Sequence, residues 1–416
     1  MHPKALIPLA AQLLARVLRF EQPADALVSA FFRENRELGS RERHALAETT
    51  YAVLRRRLLY QNLAQSGKGP MERRLVLLAW AGEPRALEAG TESEERDWLA
   101  KCARIDRSSL PAKLRHNLPD WVAQPLQEQL GETEFEALAE SLLQGAPLDL
   151  RVNTLNFKRD AVLEELKPQG AGATPYSPWG LRLQGRPSLN QWPQFKSGAI
   201  EVQDEGSQLL ALLLDAKRGE MVADFCAGAG GKTLALGAAM RNTGRLYAFD
   251  VAGHRLEALR PRLARSGLSN VYPIQIAHER DERIKRLSGK LDRVLVDAPC
   301  SGMGTLRRNP DLKWRQSPQA LADLVQRQQA ILASAARLLK PGGRLVYATC
   351  SLLQAENEGV AQAFDQAHPG FRRLDAAELL LPQVPRAAEL VQDGCLRLWP
   401  HRHQTDGFFA AAWEKA

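Results

Sequence analysis

The second half of the sequence predicts a doubly wound α/β domain with a mostly parallel sheet. From about residue 206, short apolar runs that end on polar residues alternate with segments of helical periodicity. Strands joined through helices pair in parallel, so their carboxyl ends meet at one edge of the sheet. Asp250 and Asp297 each end such a strand, and a glycine-rich loop at 226–231 follows another. We therefore predict one domain over 206–416 with its chemistry at that edge.

Apolar runs and glycine or proline breaks define the elements of this domain. Strands are predicted at 221–225, 245–249, 271–276, 291–296 and 344–348. Helices are predicted at 232–240, 252–266 and 317–339, the last one ended by Pro341, Gly342 and Gly343. Two further runs, at 395–400 and 407–415, are typical of an antiparallel hairpin at the edge of a sheet.

The first 205 residues divide into two parts. Residues 1–140 are predicted to be helical, because leucines recur at helical spacing and Ser40 has the character of a helix N-cap. Two interpretations of this part stay open, a basic RNA-docking module and a structural or partner-binding bundle. Residues 141–205 mix alternating strand patterns with one helix closed by Gly170, which predicts a small α+β module.

Composition limits the possible classes of function. The chain has 416 residues and a net charge of +8, which suits a polyanionic partner but also fits an arginine-rich composition. Its five cysteines form no CxxC pair, which favours a reducing, cytoplasmic setting. No apolar run approaches the roughly 20 residues that span a bilayer. The apolar N-terminal stretch is interpreted as a helix and not as a signal peptide.

The segment DFCAGAGGKT has the composition of a phosphate loop but not its spacing. A Walker A loop requires glycine six residues before the lysine, and that position is Cys226, which disfavours a nucleotide hydrolase. Gly228, Gly230 and Gly231 allow a ligand to approach the backbone closely, and Lys232 offers a cation. Asp250 lies where an acid binds ribose hydroxyls in such folds. S-adenosylmethionine, a dinucleotide and a plain turn all remain compatible with this loop.

Two thiols follow strands of the predicted sheet, Cys300 in DAPCSG and Cys350 in YATCS. Neither has a histidine or cysteine partner at metal-ligand spacing, so we expect no metal, and nucleophilic chemistry fits better than a buried structural role. A thiolate that adds to C6 of cytosine makes C5 nucleophilic enough to accept a methyl group. Asp297 is placed to stabilise that adduct, and the base must leave its stack to reach it.

A basic segment follows the first thiol. Its cationic side chains are suited to an RNA backbone and its indole to a stacked base, although a solvated surface turn is the alternative. The residues predicted to contact RNA are Arg307, Arg308, Lys313, Trp314 and Arg315.

Several of these motifs together carry a family resemblance. The chain resembles the Sun/RsmB-type RNA cytosine-5 methyltransferases over about 140–416, through PLDLRVNTL, IEVQDEGSQL, DFCAGAGGKT, DAPCSGMGTLRRNPDLKWR, ATCS with Glu356-Asn357-Glu358, and DGFFAA. The resemblance implies a Rossmann-like methyltransferase domain with S-adenosylmethionine as cofactor. It also implies that Cys350 is the nucleophile and that Cys300 assists product release. The implied cofactor site comprises Cys226, Ala227, Gly228, Ala229, Gly230, Gly231, Lys232, Asp250 and Asp297.

The remaining expectations follow from the same resemblance. LGSRERHALAETTYAVLRRR is similar to the NusB-like helical domain of bacterial RsmB proteins, which implies 16S rRNA as the substrate. Two positions depart from the family pattern: Ala229 replaces a proline, and Ala277 or His278 replaces an aspartate that faces the adenine. A cytoplasmic monomer without metal or membrane is expected. The alternatives are an RNA-binding ribosome-assembly factor that keeps the fold, and the same chemistry on tRNA.

Overall fold

The computed structural model describes residues 3–185 and 187–416. Its α-helices are α1 Leu6–Val17, α2 Ala24–Glu34, α3 Ser40–Arg55, α4 Arg57–Ala64, α5 Met71–Ala79, α6 Pro84–Gly90, α7 Ser93–Ala103, α8 Ala112–His116, α9 Asp120–Leu130, α10 Glu132–Leu142, α11 Arg159–Leu166, α12 Pro193–Lys196, α13 Glu205–Leu214, α14 Gly231–Ala239, α15 Gly253–Ser266, α16 Glu282–Lys285, α17 Leu312–Arg315, α18 Pro318–Ala336, α19 Glu358–Ala367, α20 Ala376–Leu380 and α21 Pro400–His403.

The strands follow the same chain order. They are β1 Leu148–Val152, β2 Ala171–Ala173, β3 Gly180–Leu183, β4 Ile200–Val202, β5 Met221–Asp224, β6 Arg245–Asp250, β7 Val271–Gln275, β8 Leu291–Asp297, β9 Leu339–Thr349, β10 Phe371–Leu374, β11 Val391–Gln392, β12 Cys395–Leu398 and β13 Phe408–Lys415. Contacts divide the chain into two compact units. The helical unit runs to Gly145 and includes Thr305–Pro318, and the sheet unit comprises Ala146–Gly304 and Gln319–Ala416.

The helical unit consists of α1–α10 and α17, which confirms the predicted helical N-terminal region. Its core forms because apolar side chains recur on one face of each helix, as Ile7, Leu13 and Leu14 do on α1. The prediction of Ser40 as an N-cap is wrong. Ser40 is the first residue of α3, and Gly39 is the cap, whose amide donates to Glu42 at 2.6 Å.

The sheet unit begins with the small α+β module. Its antiparallel sheet has the order β2-β3-β1-β4. Alternate residues of β1 and β3, such as Leu150, Val152 and Leu181, are buried with Val162 and Leu166 of α11. This arrangement confirms the predicted mixture of strands and a covering helix.

The large sheet has the order β11-β12-β13-β9-β8-β5-β6-β7, with β10 paired to β13. The neighbours from β9 to β7 are parallel, and those around β13 are antiparallel. Leu295 packs on one face with the leucines of α13, while Val294 and Val296 pack on the other with α18 and α19. Helices therefore cover both faces, as expected for a doubly wound sheet.

Two predictions about this sheet are wrong in detail. The two predicted runs do pair in antiparallel fashion, as β12 and β13, but β13 lies inside the sheet, between β9 and β12, and residues 408–413 are buried, so the expected edge position is wrong. Its nearly continuous apolar sequence is what an interior strand requires. The predicted helix at 317–339 ends at Ala336, and the Pro-Gly-Gly segment at 341–343 lies within β9. A register shift in β8 between Leu291 and Arg293 accommodates that segment.

Among the described residues, no helix has the length and apolar character needed to cross a membrane. The same residues contain no cluster of three or more histidine, cysteine, aspartate or glutamate side chains suited to a metal ion.

Candidate active site

Four parallel strands bring reactive side chains to one edge of the large sheet. The strands are β9, β8, β5 and β6, in that order across the sheet. Asp224, Asp250 and Asp297 end three of them, and Cys350 follows the fourth. Because Asp297 pairs in register with Ala348, its carboxylate lies level with the end of β9. The site is therefore built from strand ends that the sheet itself holds in place.

The glycine-rich loop between β5 and α14 is shaped by its own glycines and by Asp250. Gly228 and Gly230 have φ values of +56° and +81°, a region that favours glycine. A β-carbon on Gly230 would lie 2.1 Å from Leu259, so the close packing of α15 also requires glycine there. Asp250 accepts hydrogen bonds from the amides of Gly228 at 2.8 Å and Ala252 at 2.7 Å. Asp250 thus fixes the loop as well as ending β6.

A buried carboxylate lies at the base of this loop. Asp224 is 1% exposed, and its Oδ2 accepts a hydrogen bond from the Thr233 hydroxyl at 2.7 Å. Its Oδ1 has no hydrogen-bond partner among the described residues. Burial raises the pKa of Asp224 to about 7, an effect that the Thr233 hydrogen bond opposes. A buried oxygen without a partner can accept a hydrogen bond from a polar group of a bound ligand.

Lys232 and Asp297 form an ion pair across the site. Lys232 Nζ lies 2.8 Å from Asp297 Oδ2. Burial alone would lower the pKa of Lys232, but the Asp297 carboxylate beside it raises that pKa above its usual value. The ammonium therefore stays charged and fixes the direction of one carboxylate oxygen.

The two predicted thiols face each other. Cys300 Sγ lies 3.3 Å from Cys350 Sγ, and both cysteines are free and half-buried. The hydrogen bond with Cys350, burial and the negative charge of Glu356 all raise the pKa of Cys300 well above its usual value. The raised pKa favours the protonated form of Cys300, and either sulfur can donate in the contact between the two thiols. Burial likewise raises the pKa of Cys226, which makes that third thiol a poor nucleophile.

Comparison with known proteins is consistent with this site. Residues 211–414 match the family described as 16S rRNA methyltransferase RsmB/F, and residues 118–190 match the ferredoxin-like domain of the same proteins. A probable ribosomal RNA small subunit methyltransferase B of Synechocystis sp. is 38% identical over 315 residues, which cover 75% of this chain and 70% of the relative. The chain belongs to the RsmB/F methyltransferase family. The predicted family is thereby confirmed.

Further relatives extend the same likeness. The Bacillus subtilis protein of the same description is 34% identical over 302 residues, which cover 71% of this chain and 66% of that protein. The protein in the crystal structure of PH0851 is 26% identical in sequence, and the two structures align with a TM-score of 0.79. The aligned region covers 100% of this chain and 99% of that chain. A methyltransferase homologue from Pyrococcus horikoshii is 31% identical with a TM-score of 0.63, covering 75% of this chain and 100% of its own. These solved structures confirm the predicted fold class.

S-adenosylmethionine is the cofactor of RsmB/F methyltransferases, and the glycine loop fits it. Apart from Gly228 and its chain neighbours, no atom of the described residues lies within 4 Å of the point where a β-carbon of Gly228 would stand, so a ligand has room against that backbone. The amides of the first turn of α14 and the unpaired Asp224 oxygen offer partners to the carboxylate and ammonium of its methionine end. Contacts of the predicted residues 226–232 and Asp250 with this cofactor stay a prediction. Lys232 pairs with Asp297 in the structure, so its ammonium is already engaged and is less available to the carboxylate of the cofactor.

The end of the third strand of the parallel series lacks a directly following acid. β7 ends at Gln275, and the next carboxylate partner of the backbone there is Asp281, which accepts from the Ala277 amide at 2.9 Å. Asp281 also accepts from the Arg283 amide at 2.9 Å and caps α16. These two backbone hydrogen bonds lower the pKa of Asp281. At the departure from the family pattern, Ala277 thus lies in a turn that Asp281 holds through backbone hydrogen bonds.

The basic segment after Cys300 makes contacts within the protein. Residues 305–318 belong to the helical unit. Lys313 is 2% exposed and donates to the Arg55 carbonyl at 3.0 Å, and Arg307 is buried and donates to the Gly145 carbonyl at 3.2 Å. The Trp314 indole donates to the Leu54 carbonyl at 2.8 Å.

These contacts are made inside the helical unit, and Arg57 lies over the Trp314 ring with its guanidinium carbon 5.3 Å from the ring centre. The burial of Arg307 and Lys313 and the contacts of Trp314 inside the helical unit speak against contact of these three side chains with RNA, and that contact stays a prediction. Contact of the half-buried Arg308 and Arg315 with RNA stays a prediction.

The sequence reasoning missed three residues that the structure places at or around the site. Asp224 ends a strand as Asp250 and Asp297 do, and this shared position is the signal in the sequence that indicates a role for it. Arg262 donates to the Ala229 carbonyl at 2.6 Å and so supports the glycine loop from α15, which no local pattern indicates. Glu356 lies in the Glu-Asn-Glu motif after Cys350, and its contacts become visible only in the folded chain.

Proposed function

We propose that this chain methylates C5 of cytosine in RNA, with 16S rRNA as the substrate, through a covalent bond between Cys350 Sγ and C6 of the base. Membership of the RsmB/F family makes the chain an RNA methyltransferase. The observation that supports the finer proposal is the thiol pair, with Cys300 and Cys350 3.3 Å apart beside Asp297. Methyl transfer to a nitrogen or oxygen atom has no use for two facing thiols, whereas carbon methylation at C5 requires a nucleophile at C6.

The residues act in a defined order. The Cys350 thiolate adds to C6, and the electron pair of the 5,6 double bond moves to C5. Asp297, whose direction Lys232 fixes, accepts a hydrogen bond from the exocyclic amine or from N3–H of the adduct. When bound, S-adenosylmethionine supplies an electrophilic methyl group to C5. Base flipping into the site precedes these steps.

Release of the product completes the sequence. Once C5 carries the methyl group, the proton on C5 passes to a solvent water molecule, and the electron pair of the C5–H bond restores the 5,6 double bond. The C6–S bond breaks with its electrons returning to Cys350, and the Cys300 thiol, 3.3 Å away, donates a proton to that sulfur. Solvent then reprotonates Cys300. The raised pKa of Cys300 means that the residue holds its proton in the resting site and can donate a hydrogen bond to the leaving sulfur, while the proton transfer itself is completed as solvent reprotonates the pair.

The identity of the base and of the RNA is tested together. Total RNA from cells with and without this chain is sequenced after bisulfite treatment, which reveals 5-methylcytosine. One 16S rRNA cytosine that depends on the chain is the expected result. A dependent cytosine in tRNA would support the alternative substrate. Complete absence of dependent 5-methylcytosine, with rRNA still bound by the purified chain, would instead favour an assembly factor that keeps the fold.

A further inference from the structure

A fully buried glutamate joins the two thiol-bearing loops. Glu356 is 0% exposed and its carboxylate accepts four hydrogen bonds. Oε1 accepts from the Ser301 amide at 2.8 Å and from the Gln328 side chain at 3.0 Å. Oε2 accepts from the hydroxyls of Ser301 and Ser351, each at 2.5 Å. One carboxylate thus bonds to the residue directly after Cys300 and to the residue directly after Cys350.

The surrounding groups make this bridge rigid. The Gln328 amide that contacts Glu356 also donates to the Pro299 carbonyl at 2.9 Å, on the other side of Cys300. The backbone carbonyl of Glu356 accepts from the Tyr347 hydroxyl at 2.6 Å, which ties the same residue to β9. Ser301 and Ser351 also contact each other through their hydroxyls at 3.2 Å. Both thiol-bearing loops are therefore held in place by the same buried side chain, that of Glu356.

A bridge of this kind does not need a charge. Among the described residues, no cation lies within ion-pair distance of Glu356, so the charge is held by neutral donors alone. Burying an unpaired carboxylate is costly, and an amide or a pair of apolar residues is commonly tolerated at a purely structural position. A carboxylate that accepts four hydrogen bonds and donates none has a further consequence, because its negative charge acts on the nearby Cys300.

We propose that Glu356 is a positioning residue for the two-thiol chemistry: it sets the separation of Cys300 and Cys350. This proposal rests on the proposed cytosine-5 function for its catalytic consequence. The geometry carries it, since the hydrogen bonds reach the neighbours of both sulfurs. The charge of Glu356 supports it as a smaller contribution to the raised pKa of Cys300, after the hydrogen bond with Cys350 and burial.

Three variants separate the geometry from the charge. Glu356→Gln removes the charge and turns one acceptor into a donor that faces serine donors. Glu356→Asp keeps the charge but shortens the reach to Ser301 and Ser351. Glu358→Gln is the matched control, because Glu358 lies two residues further along, is partly exposed and pairs with Arg397 at 3.4 Å. Circular dichroism and S-adenosylmethionine titration first establish that each variant is folded.

The first readout needs neither RNA nor cofactor. Each variant is alkylated with iodoacetamide over a range of pH, and modification of Cys300 is followed by peptide mass spectrometry. Since the charge of Glu356 raises the pKa of Cys300, its removal in Glu356→Gln is expected to move the midpoint of alkylation to lower pH. Glu356→Asp and Glu358→Gln are expected to keep the original midpoint.

The second readout reports the separation of the thiols. Diamide oxidises two thiols to a disulfide and is itself reduced to the hydrazine, so the rate of Cys300–Cys350 disulfide formation measures how often the sulfurs meet. Both Glu356 variants are expected to slow this reaction about tenfold relative to Glu358→Gln.

Turnover is the third readout. A fall in kcat of about 10²-fold with the KM for S-adenosylmethionine within about twofold is expected for Glu356→Gln. Unchanged alkylation, disulfide formation and kcat in both Glu356 variants would overturn the proposal. If Glu356→Gln does not fold, Glu356→Asp decides: normal disulfide formation and kcat in that variant would overturn it equally. A wild-type protein that makes no 5-methylcytosine while the first two readouts behave as expected would refute the proposed function but not the role of Glu356 in the thiol pair.

Discussion

The loop that leaves β8 has two halves with opposite roles. The first half, residues 298–304, belongs to the sheet unit and presents the Cys300 thiol to Cys350. The second half, residues 305–318, belongs to the helical unit. There the amine of Lys313 and the indole N–H of Trp314 donate hydrogen bonds to backbone carbonyls. Both halves carry residue types that are common in RNA-modifying sites. Only the first leaves its functional atoms directed at another reactive group.

This difference shows that residue type alone does not identify a nucleic-acid surface. A cation binds phosphate only if its head group is not already satisfied and buried, and the Lys313 ammonium is both. Substitutions in the first half should therefore change the chemistry and leave stability intact. Substitutions in the second half should change stability and leave cofactor affinity intact. The four predictions that follow test this separation.

The largest effect is expected for Cys350→Ala. Loss of the nucleophile should lower methylation at least about 10⁴-fold and abolish any covalent protein–RNA species. Methyl transfer from radiolabelled S-adenosylmethionine to RNA and denaturing gels provide the measurements. The affinity for the cofactor, measured by isothermal titration, should remain within about twofold, which serves as the control for folding. Substantial methylation by this variant would contradict the assignment of Cys350.

Cys300→Ala is expected to lower turnover about 10²-fold to 10³-fold and to trap the intermediate. The covalent bond to C6 still forms, but the leaving sulfur lacks its proton donor. A protein–RNA adduct that survives a denaturing gel should therefore accumulate with this variant and not with Cys350→Ala. If the adduct instead accumulates with Cys350→Ala, the roles of the two thiols are reversed.

The first half of the loop was predictable from the sequence because its information is local. A strand that ends on Asp297, followed by Pro299 and a cysteine, places a thiol at the carboxyl edge of any parallel sheet. The burial of the second half, by contrast, is determined by contacts with residues far away in the sequence. Whether Lys313 meets solvent depends on the carbonyl of Arg55, which is 258 residues away in the chain. Hydrophobic period and charge pattern carry no information about such a partner, so surface and interior lysines look alike in the sequence.

The same reasoning explains the other differences. The glycine loop and the acid of β6 follow from spacing within one strand–helix–strand unit. The internal position of β13 and the bridge made by Glu356 depend on which distant strands and loops become neighbours. Ser301, for example, is 55 residues from Glu356. A polar residue buried among donors from two loops has no periodic signature that a sequence pattern reveals.

For the second half of the loop, Trp314→Ala is expected to destabilise the helical unit by about 2–4 kcal/mol. The substitution removes both packing against the helical core and the hydrogen bond to the Leu54 carbonyl. Native-state hydrogen exchange of the amides in α3 and α4 measures the change locally. Trp314→Phe, which keeps most of the packing and loses the hydrogen bond, should cost about 1 kcal/mol. A change in cofactor affinity with unchanged exchange would contradict a structural role.

The last prediction is a pH dependence of stability that originates at Lys313. Burial lowers the pKa of Lys313 to about 7, and the nearby charges of Arg55 and Arg56 act in the same direction. The unfolded chain, with an ordinary lysine pKa near 10.4, binds more protons than the folded chain between these two values. Stability of the helical unit should therefore rise as the pH increases from about 7 towards 10, by up to about 1.4 kcal/mol for each unit of pKa difference that is realised.

Lys313→Met isolates this contribution, because the difference in unfolding free energy between wild type and variant is compared at each pH. The variant should be more stable than wild type below about pH 7, where the buried amine must be charged, and its advantage should shrink as the pH rises and the wild-type amine becomes neutral in both states. Lys101→Met, at an exposed position of α7, is the control and should give a pH-independent difference. A pH-independent difference for Lys313→Met as well would place the ammonium in contact with solvent or an anion, and would restore this half of the loop as a candidate surface for RNA.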